Sequence, residues 1–132
     1  MGLYEQELRR FFGGSNMIQN QKYTGRTMLG KLDDDLRVKL QFISTHISGQ
    51  YDAIRAQIIN RIEGQIDAEV FKLSDILGPN PTCKNGDIHI WDYNGESQWY
   101  GYRPNAAEAA EIQDRIEGYL SLYQSEDLGM SM

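Results

Sequence analysis

The side chains with the widest chemical range in this sequence are two histidines, His46 and His89, and one cysteine, Cys83. Catalytic and zinc-binding motifs need such residues at fixed spacings, as in HExxH or CxxC. The sequence has neither motif, and it also lacks a Walker A loop and a nucleophile elbow. It therefore predicts a non-enzymatic protein without cofactor or metal, although a catalytic dyad could still assemble in space.

Three consecutive aspartates, Asp33 to Asp35, supply the oxygen ligands that Mg²⁺ and Ca²⁺ prefer. Adjacent side chains diverge in a strand or a tight turn, so three neighbours rarely converge on one ion. Aspartate also favours turns, because its carboxylate accepts hydrogen bonds from the backbone that follows. We interpret the triplet as a solvated turn.

Basic residues at alternating positions suggest a surface for nucleic acid. Arg37 and Lys39 alternate with apolar residues in one predicted strand, and Arg55 and Arg61 point outward from the next. Single strands are held by cations that attract phosphates and by rings on which bases stack. A platform forms if these bases share one exposed sheet surface with the rings of Trp91, Tyr93, Tyr100 and Tyr102. The net charge of −6 argues against general binding of polyanions.

A β-hairpin is predicted around Asn94-Gly95, a pair that favours the type I′ turn. A two-residue turn pairs Tyr93 with Glu96 and Trp91 with Gln98, and it places Ile88, Ile90 and Trp99 on a core face. The opposite face carries His89, Trp91, Tyr93, Tyr100 and Tyr102. Amphipathic rings are enriched at interfaces, so this ring face is the leading candidate for binding a protein partner.

Charge is distributed unevenly along the chain. Residues 17–62 hold seven bases and four acids, whereas residues 63–132 hold four bases and thirteen acids. Helix electrostatics accounts for part of the acidic excess, because acids are favoured in the first turns of a helix. The remainder predicts an acidic C-terminal surface that could bind a basic partner or imitate phosphate charge.

Strands are predicted where apolar and polar residues alternate. The alternation is cleanest at 36–42, whereas 51–62 fits both a strand and a helix, and its isoleucines and flanking turns favour a strand. The other predictions are a polar turn at 15–21, a glycine-interrupted strand at 22–32, a short strand at 69–73 before a bend at 75–78, a proline-bearing loop at 78–86 and the hairpin.

Helices are predicted near both ends of the sequence. Apolar residues at helical spacing mark 3–12, and Asn105 with Glu108 forms a capping-box pattern for a helix that runs to about Gln124. Together these elements predict an α+β fold, an antiparallel meander of five to six strands with the N- and C-terminal helices packed on one face. Residues 1–124 are expected to form one domain, and residues 125–132 a flexible tail.

Composition predicts a folded cytoplasmic protein, with 40% hydrophobic and 24% charged residues. The single cysteine allows no internal disulfide, so an oxidising compartment is not required. No apolar run reaches the roughly 20 residues that a membrane span needs, so no membrane partner is expected.

Three segments, YTGRTMLGKLDDDLRVKLQFIST, FKLSDILG and HIWDYNGESQWYGYRP, carry a resemblance that covers most of the chain. The sequence resembles small uncharacterised proteins encoded on conjugative and other mobile elements of Gram-positive gut bacteria. No activity or cofactor is known for that group, so the resemblance implies a setting and not a reaction. Three roles fit the setting: an accessory that binds a protein partner, a single-stranded nucleic-acid-binding accessory, and an acidic inhibitor of host defence.

Overall fold

The computed structural model of this chain describes residues 3–46, 48–78, 91–93, 99–100 and 103–124. Some predicted features lie outside the described residues. These are the turn at Asn94-Gly95, the side chains of residues 88–102, most of the loop at 78–86 with Cys83, and the tail at 125–132.

The described part of the chain contains three α-helices: α1 (Leu3–Phe12), α2 (Leu73–Leu77) and α3 (Ala106–Leu120), the last followed by a 3-10 turn at Ser121–Tyr123. The predicted capping box begins α3. The Asn105 side chain accepts a hydrogen bond from the Glu108 N–H at 2.9 Å, and the Glu108 carboxylate accepts one from the Asn105 N–H at 3.0 Å. Both predicted helices are therefore confirmed. None of the described helices has the length and apolar character needed to cross a bilayer.

Eight strands lie within the described residues: β1 (Gln19–Thr24), β2 (Thr27–Lys31), β3 (Leu36–Ile43), β4 (Gln50–Tyr51), β5 (Ala53–Asn60), β6 (Gly64–Lys72), β7 (Trp91–Tyr93) and β8 (Trp99–Tyr100). Five of them form an antiparallel sheet in the order β1-β2-β3-β5-β6, and the other three form a second sheet in the order β4-β7-β8. The predicted α+β class and antiparallel sheet are confirmed, and the ambiguous segment 51–62 contains strand β5.

The helices pack on one face of the five-stranded sheet. The even-numbered residues of β3 and β5 from Val38 to Phe42 and from Ile54 to Ile58 are fully buried against this helix layer. Helix α1 contributes Leu8, Phe11 and Phe12, and α3 contributes Ile112, Ile116 and Leu120. Burying a large apolar side chain stabilises a fold by about 1.5–3 kcal/mol, so this single layer of contacts holds the sheet and helices together.

Two predictions near the start of the sheet are wrong. The segment 22–32 is not one strand, because a two-residue turn at Gly25-Arg26 divides it between β1 and β2. Gly25 has a φ of +58°, a conformation that glycine adopts without steric cost, so the chain reverses there. The predicted turn at 15–21 overlaps β1, which begins at Gln19. Polar residues tolerate this position because β1 is an edge strand.

The segment after β5 also differs from its prediction. Strand β6 begins at Gly64 rather than at Glu69, because antiparallel pairing with β5 extends it over nine residues. The predicted bend at 75–78 is helix α2, which ends where Gly78 adopts a φ of +76°. Leu73 and Ile76 are buried, so packing against the core stabilises a helix that is too short to form alone.

The predicted hairpin pairing is wrong as well. Tyr93 pairs with Trp99 and Asp92 with Tyr100, a shift of three residues from the two-residue-turn register. Strand β7 also pairs with β4 on its other side. The Asn-Gly pair predicts a local turn, but it gives no information about the pairing of β7 with the distant strand β4, which also constrains the register. The observed pairing differs from the one used to divide the hairpin into a core face and a ring face, and the side chains of both faces lie outside the described residues.

Candidate functional site

The face of the five-stranded sheet opposite the helices is the first candidate site, and we call it the open face. Successive side chains of a strand point to opposite sides of the sheet, so burying the even-numbered residues of β3 and β5 directs the odd-numbered ones to the open face. Pairing register arranges its residues in three cross-strand rows: Lys22, Leu29, Lys39, Gln57 and Ala68; Lys31, Arg37, Ile59 and Gln65; and Thr24, Thr27, Gln41, Arg55 and Val70.

These rows carry bases and no acids. The bases are Lys22, Lys31, Arg37, Lys39 and Arg55. The whole chain has 19 acids and 13 bases, so rows with five bases and no acid have a charge opposite to that of the chain as a whole. Like charges that gather on one surface create a positive potential, which attracts anions.

Few of these bases are neutralised by the protein itself. The Arg37 guanidinium donates to the backbone carbonyl of Asp33 at 2.9 Å, and Arg55 donates to the Gln41 side-chain oxygen at 2.7 Å. Both acceptors are neutral, so these bonds orient the guanidinium groups and leave their charge in place. Within the described residues, Lys22 and Lys39 have no ion-pair partner.

Lys31 is the exception on the open face. Its Nζ lies 3.4 Å from a carboxylate oxygen of Asp34, whose side chain is 99% exposed. Exposed ion pairs of this kind contribute about 0–1 kcal/mol, so an external anion can displace the aspartate at little cost.

A hollow of about 340 Å³ lies at the β1 end of the open face. Its lining includes Lys22, Lys31 and Arg37, together with Asn20. Strand β1 changes register between Gln19 and Lys22, and Asn20 has a φ of +55°. A bulge bends its strand away from regular pairing. The hollow therefore combines three cations with room for an anion.

The structure places three of the four predicted nucleic-acid-binding residues on the open face, namely Arg37, Lys39 and Arg55. Arg61 is in the turn after β5, where its guanidinium lies 3.5 Å from the Asp35 carboxylate. Sequence reasoning missed Lys22 and Lys31, because it treated 22–32 as one strand and had no pairing register for it. A turn at Gly25-Arg26 followed by alternation along both strands would place Lys22 and Lys31 on one face, and this is the signal that could have revealed them.

The bases and the predicted rings do not share a sheet. Strands β7 and β8, which contain Trp91, Tyr93 and Tyr100, belong to the second sheet. The Tyr51 ring of β4 in that sheet contacts the Tyr4 ring of α1 edge-on, with centroids 5.3 Å apart. The condition for a joint platform of bases and rings on one sheet surface is therefore not met. His89 and Tyr102 lie outside the described residues.

A second charged surface lies on the helix side, between β6, α2 and α3, and we call it the acidic groove. It encloses about 600 Å³ and is lined by Glu69, Phe71, Ile76, Glu111, Asp114, Arg115, Gly118, Tyr119 and Leu122. The rings of Phe71 and Tyr119 meet edge-on at 5.6 Å and form an apolar floor. Three carboxylates against one base give this groove the opposite charge from the open face.

A tyrosine pair fixes one end of the acidic groove. The Tyr123 hydroxyl donates to the Asp67 carboxylate, and this bond lowers the pKa of Asp67. Burial and the neighbouring Asp67 charge raise the pKa of Tyr119. Asp67 is consequently ionised and both tyrosines are neutral at physiological pH, so the Tyr123–Asp67 bond joins the 3-10 turn after α3 to β6 without adding a reactive group.

His46 meets a carboxylate, as a catalytic dyad would require, but the geometry indicates a structural role. Its Nδ1 lies 3.1 Å from Asp52 and 3.0 Å from the Thr45 hydroxyl. Thr45 also donates its hydroxyl, and at 2.8 Å its backbone N–H, to Asp52. Burial alone would raise the pKa of Asp52, but the bonds from Thr45 and His46 outweigh it and the pKa is lowered. These contacts hold the turn after β3.

The carboxylate of Asp33 accepts hydrogen bonds from the backbone N–H groups of Asp35 and Leu36, each at 2.9 Å. This confirms the interpretation of the aspartate triplet as a turn. Within the described ranges no three His, Cys, Asp or Glu side chains are arranged to hold a metal ion.

No family model, curated protein or solved structure matches this chain. Functional inference therefore depends on the geometry of the open face and the acidic groove.

Proposed function

We propose that this protein is a non-enzymatic binding protein that holds the phosphate backbone of nucleic acid on its open face. The observation that carries the proposal is the concentration of five largely uncompensated bases in three cross-strand rows of described residues that include no acid. Lysine and arginine bind phosphates through charge and hydrogen bonds, and the counterions released on binding supply much of the affinity.

The dimensions and chemistry of the open face fit a short length of backbone. Neighbouring strands lie about 4.8 Å apart, so the five strands span roughly 19 Å. Phosphates recur about every 3.4 Å of rise in one strand of a duplex, so a length of about 19 Å offers at most five or six phosphates. Among the described residues no aromatic side chain lies on the open face. Backbone contacts without stacking predict binding that depends weakly on sequence.

The net charge of −6 restricts this binding to one orientation. Acidic surfaces such as the groove repel phosphates, so only the open face can approach a polyanion. The resemblance to proteins of mobile elements implies a setting in which nucleic acid is transferred or maintained, and a phosphate-binding accessory suits that setting.

The test is fluorescence anisotropy with a labelled oligothymidylate at low salt. The double variant Arg37→Ala with Arg55→Ala is expected to weaken binding at least about tenfold, or about 1.4 kcal/mol. Arg61→Ala is the matched control, because it removes an exposed base outside the open face. Equal losses in both variants, or no binding by the wild-type protein at low salt, would contradict the proposal.

The acidic groove favours a second candidate function, the binding of a basic protein partner. An apolar floor bordered by carboxylates provides both the buried contact and the charge that such a partner needs. An acidic inhibitor of host defence would use the same surface. Partner binding through the ring face of the hairpin stays a prediction, because its side chains lie outside the described residues.

A further inference from the structure

The two edges of the five-stranded sheet differ in how well they are protected. Strand β1 has six residues, and its register shift and the positive φ of Asn20 interrupt the edge. Such bulges are a common way to prevent pairing at an edge. Strand β6 has nine residues, and its own register shift lies near its start, at Ile66; from Asp67 to Lys72 it pairs with β5 in regular register, and Val70 in this stretch is 44% exposed. Edge β6 is therefore the one suited to receive another strand.

The backbone of β6 presents hydrogen-bonding groups on its outer edge. Ala68 is the cross-strand partner of Gln57, yet its N–H donates to the Asp67 carboxylate at 2.8 Å. In an antiparallel pair, residues alternate between those that bond to the partner strand and those that point away. Ala68 and Val70 are therefore of the second kind. The outward N–H of Ala68 is already bonded to Asp67, so an added strand would bond to the outward groups of Val70. Among the described residues no strand pairs with this edge.

The acidic groove lies beside the same edge. Glu69 and Phe71 of β6 line it from one side, and Glu111 and Asp114 of α3 line it from the other. An added strand would direct alternate side chains toward the groove and the intervening ones past Val70 on the open-face side. The carboxylates favour lysine or arginine in the first set, and Val70 favours apolar residues in the second.

We infer that the outer edge of β6 accepts an extended, basic segment of a partner protein by strand addition, with alternate basic side chains in the acidic groove. This inference rests on the second proposed function, and it specifies how the partner binds. Main-chain hydrogen bonds would supply affinity, and the groove would select the partner by charge and register.

The test uses a synthetic peptide that alternates lysine with valine, titrated by calorimetry. Val70→Pro removes an outward N–H while leaving the β5 pairing intact, and Val70→Ala is its matched control. We expect Val70→Pro to weaken binding at least about tenfold, and Val70→Ala to change it by less than about threefold. Glu111→Lys, on the exposed face of α3, should weaken binding as strongly as Val70→Pro.

A peptide of the same sequence with N-methylated amides tests the inference even if Val70→Pro fails to fold, and it is expected not to bind. If the methylated peptide binds as well as the parent and only Glu111→Lys weakens binding, a basic partner binds the groove without strand addition and the inference is overturned. If neither peptide binds, the second proposed function is also overturned. If the protein self-associates and Val70→Pro abolishes the association, a second copy of the chain occupies the edge of β6. That result would overturn the inference that a basic partner binds there.

Discussion

Charged side chains are paired on one face of the five-stranded sheet and mostly unpaired on the other. On the helix side Glu7 is fully buried, and its carboxylate accepts hydrogen bonds from Arg10 at 2.7 Å and from Arg103. On the open face Lys22 and Lys39 have no acidic partner in the described part of the chain. Charges that hold elements together are paired, because an unpaired buried charge is costly. Charges left unpaired on a surface are available to a ligand.

Removing the paired carboxylate of Glu7 is expected to have the largest effect on stability. Arg10 also donates to the Pro104 carbonyl at 2.6 Å, so the cluster around Glu7 joins α1 to the start of α3. Glu7→Gln removes the buried carboxylate that accepts from two partly exposed arginines, and we expect the loss of these charged hydrogen bonds to lower the free energy of unfolding by about 3 kcal/mol. Urea denaturation measures this loss, and a variant as stable as wild type would refute the structural role.

The next effect concerns Asp52, the buried carboxylate beside Thr45 and His46. Its pKa is lower in the folded protein than the usual 3.8, so ionised Asp52 adds stability above that pH and the contribution is lost as the pH falls through the folded pKa. Asp52→Asn is expected to reduce stability at neutral pH by about 1–3 kcal/mol and to flatten the decline below about pH 4. Denaturation from pH 7 to pH 2 tests both, and parallel curves for the two proteins would contradict the assignment.

A smaller effect is expected at the cap of α3. Asn105→Ala removes the side chain that accepts the Glu108 N–H, and it should cost about 1 kcal/mol of stability. Asn105→Ser retains a capping oxygen and serves as the control. Equal stability of the alanine and serine variants in urea would show that the cap adds nothing measurable.

The smallest effect on stability is expected for Lys39, an unpaired base of the open face. Lys39 lies on the open face without an ion-pair partner, so Lys39→Gln should leave the free energy of unfolding within about 0.5 kcal/mol of wild type. The same variant should weaken binding of oligothymidylate. A large loss of stability would show that Lys39 supports the fold, and it would remove the basis for calling its charge available.

Local patterns were sufficient to predict part of the fold. Strand β3 follows from clean alternation, and the capping box at Asn105 follows from residue spacing alone. Strand β6 was predicted too short, because its first residues are polar and are ordered by pairing with β5. Turn chemistry was misjudged at Gly25-Arg26, where one glycine reverses the chain.

The candidate sites depended more strongly on pairing between distant segments. Arg37, Lys39 and Arg55 were found from alternation, since alternation fixes a face. Lys22 and Lys31 join them only through the register of β1 with β2 and of β2 with β3. The acidity of the C-terminal segment follows from its composition, but the acidic groove does not, because it forms where β6, α2 and α3 meet and no local sequence pattern specifies those contacts.

If the uncompensated bases of the open face bind the backbone of nucleic acid, as we claim, the affinity must fall as the salt concentration rises. Five phosphate contacts predict a slope of about −3.5 in a plot of log K against log salt concentration for single strands, and Lys39→Gln should reduce it by about 0.7. Arg61→Ala should leave the slope unchanged. A slope near zero, or one that responds equally to Lys39→Gln and Arg61→Ala, would contradict the claim.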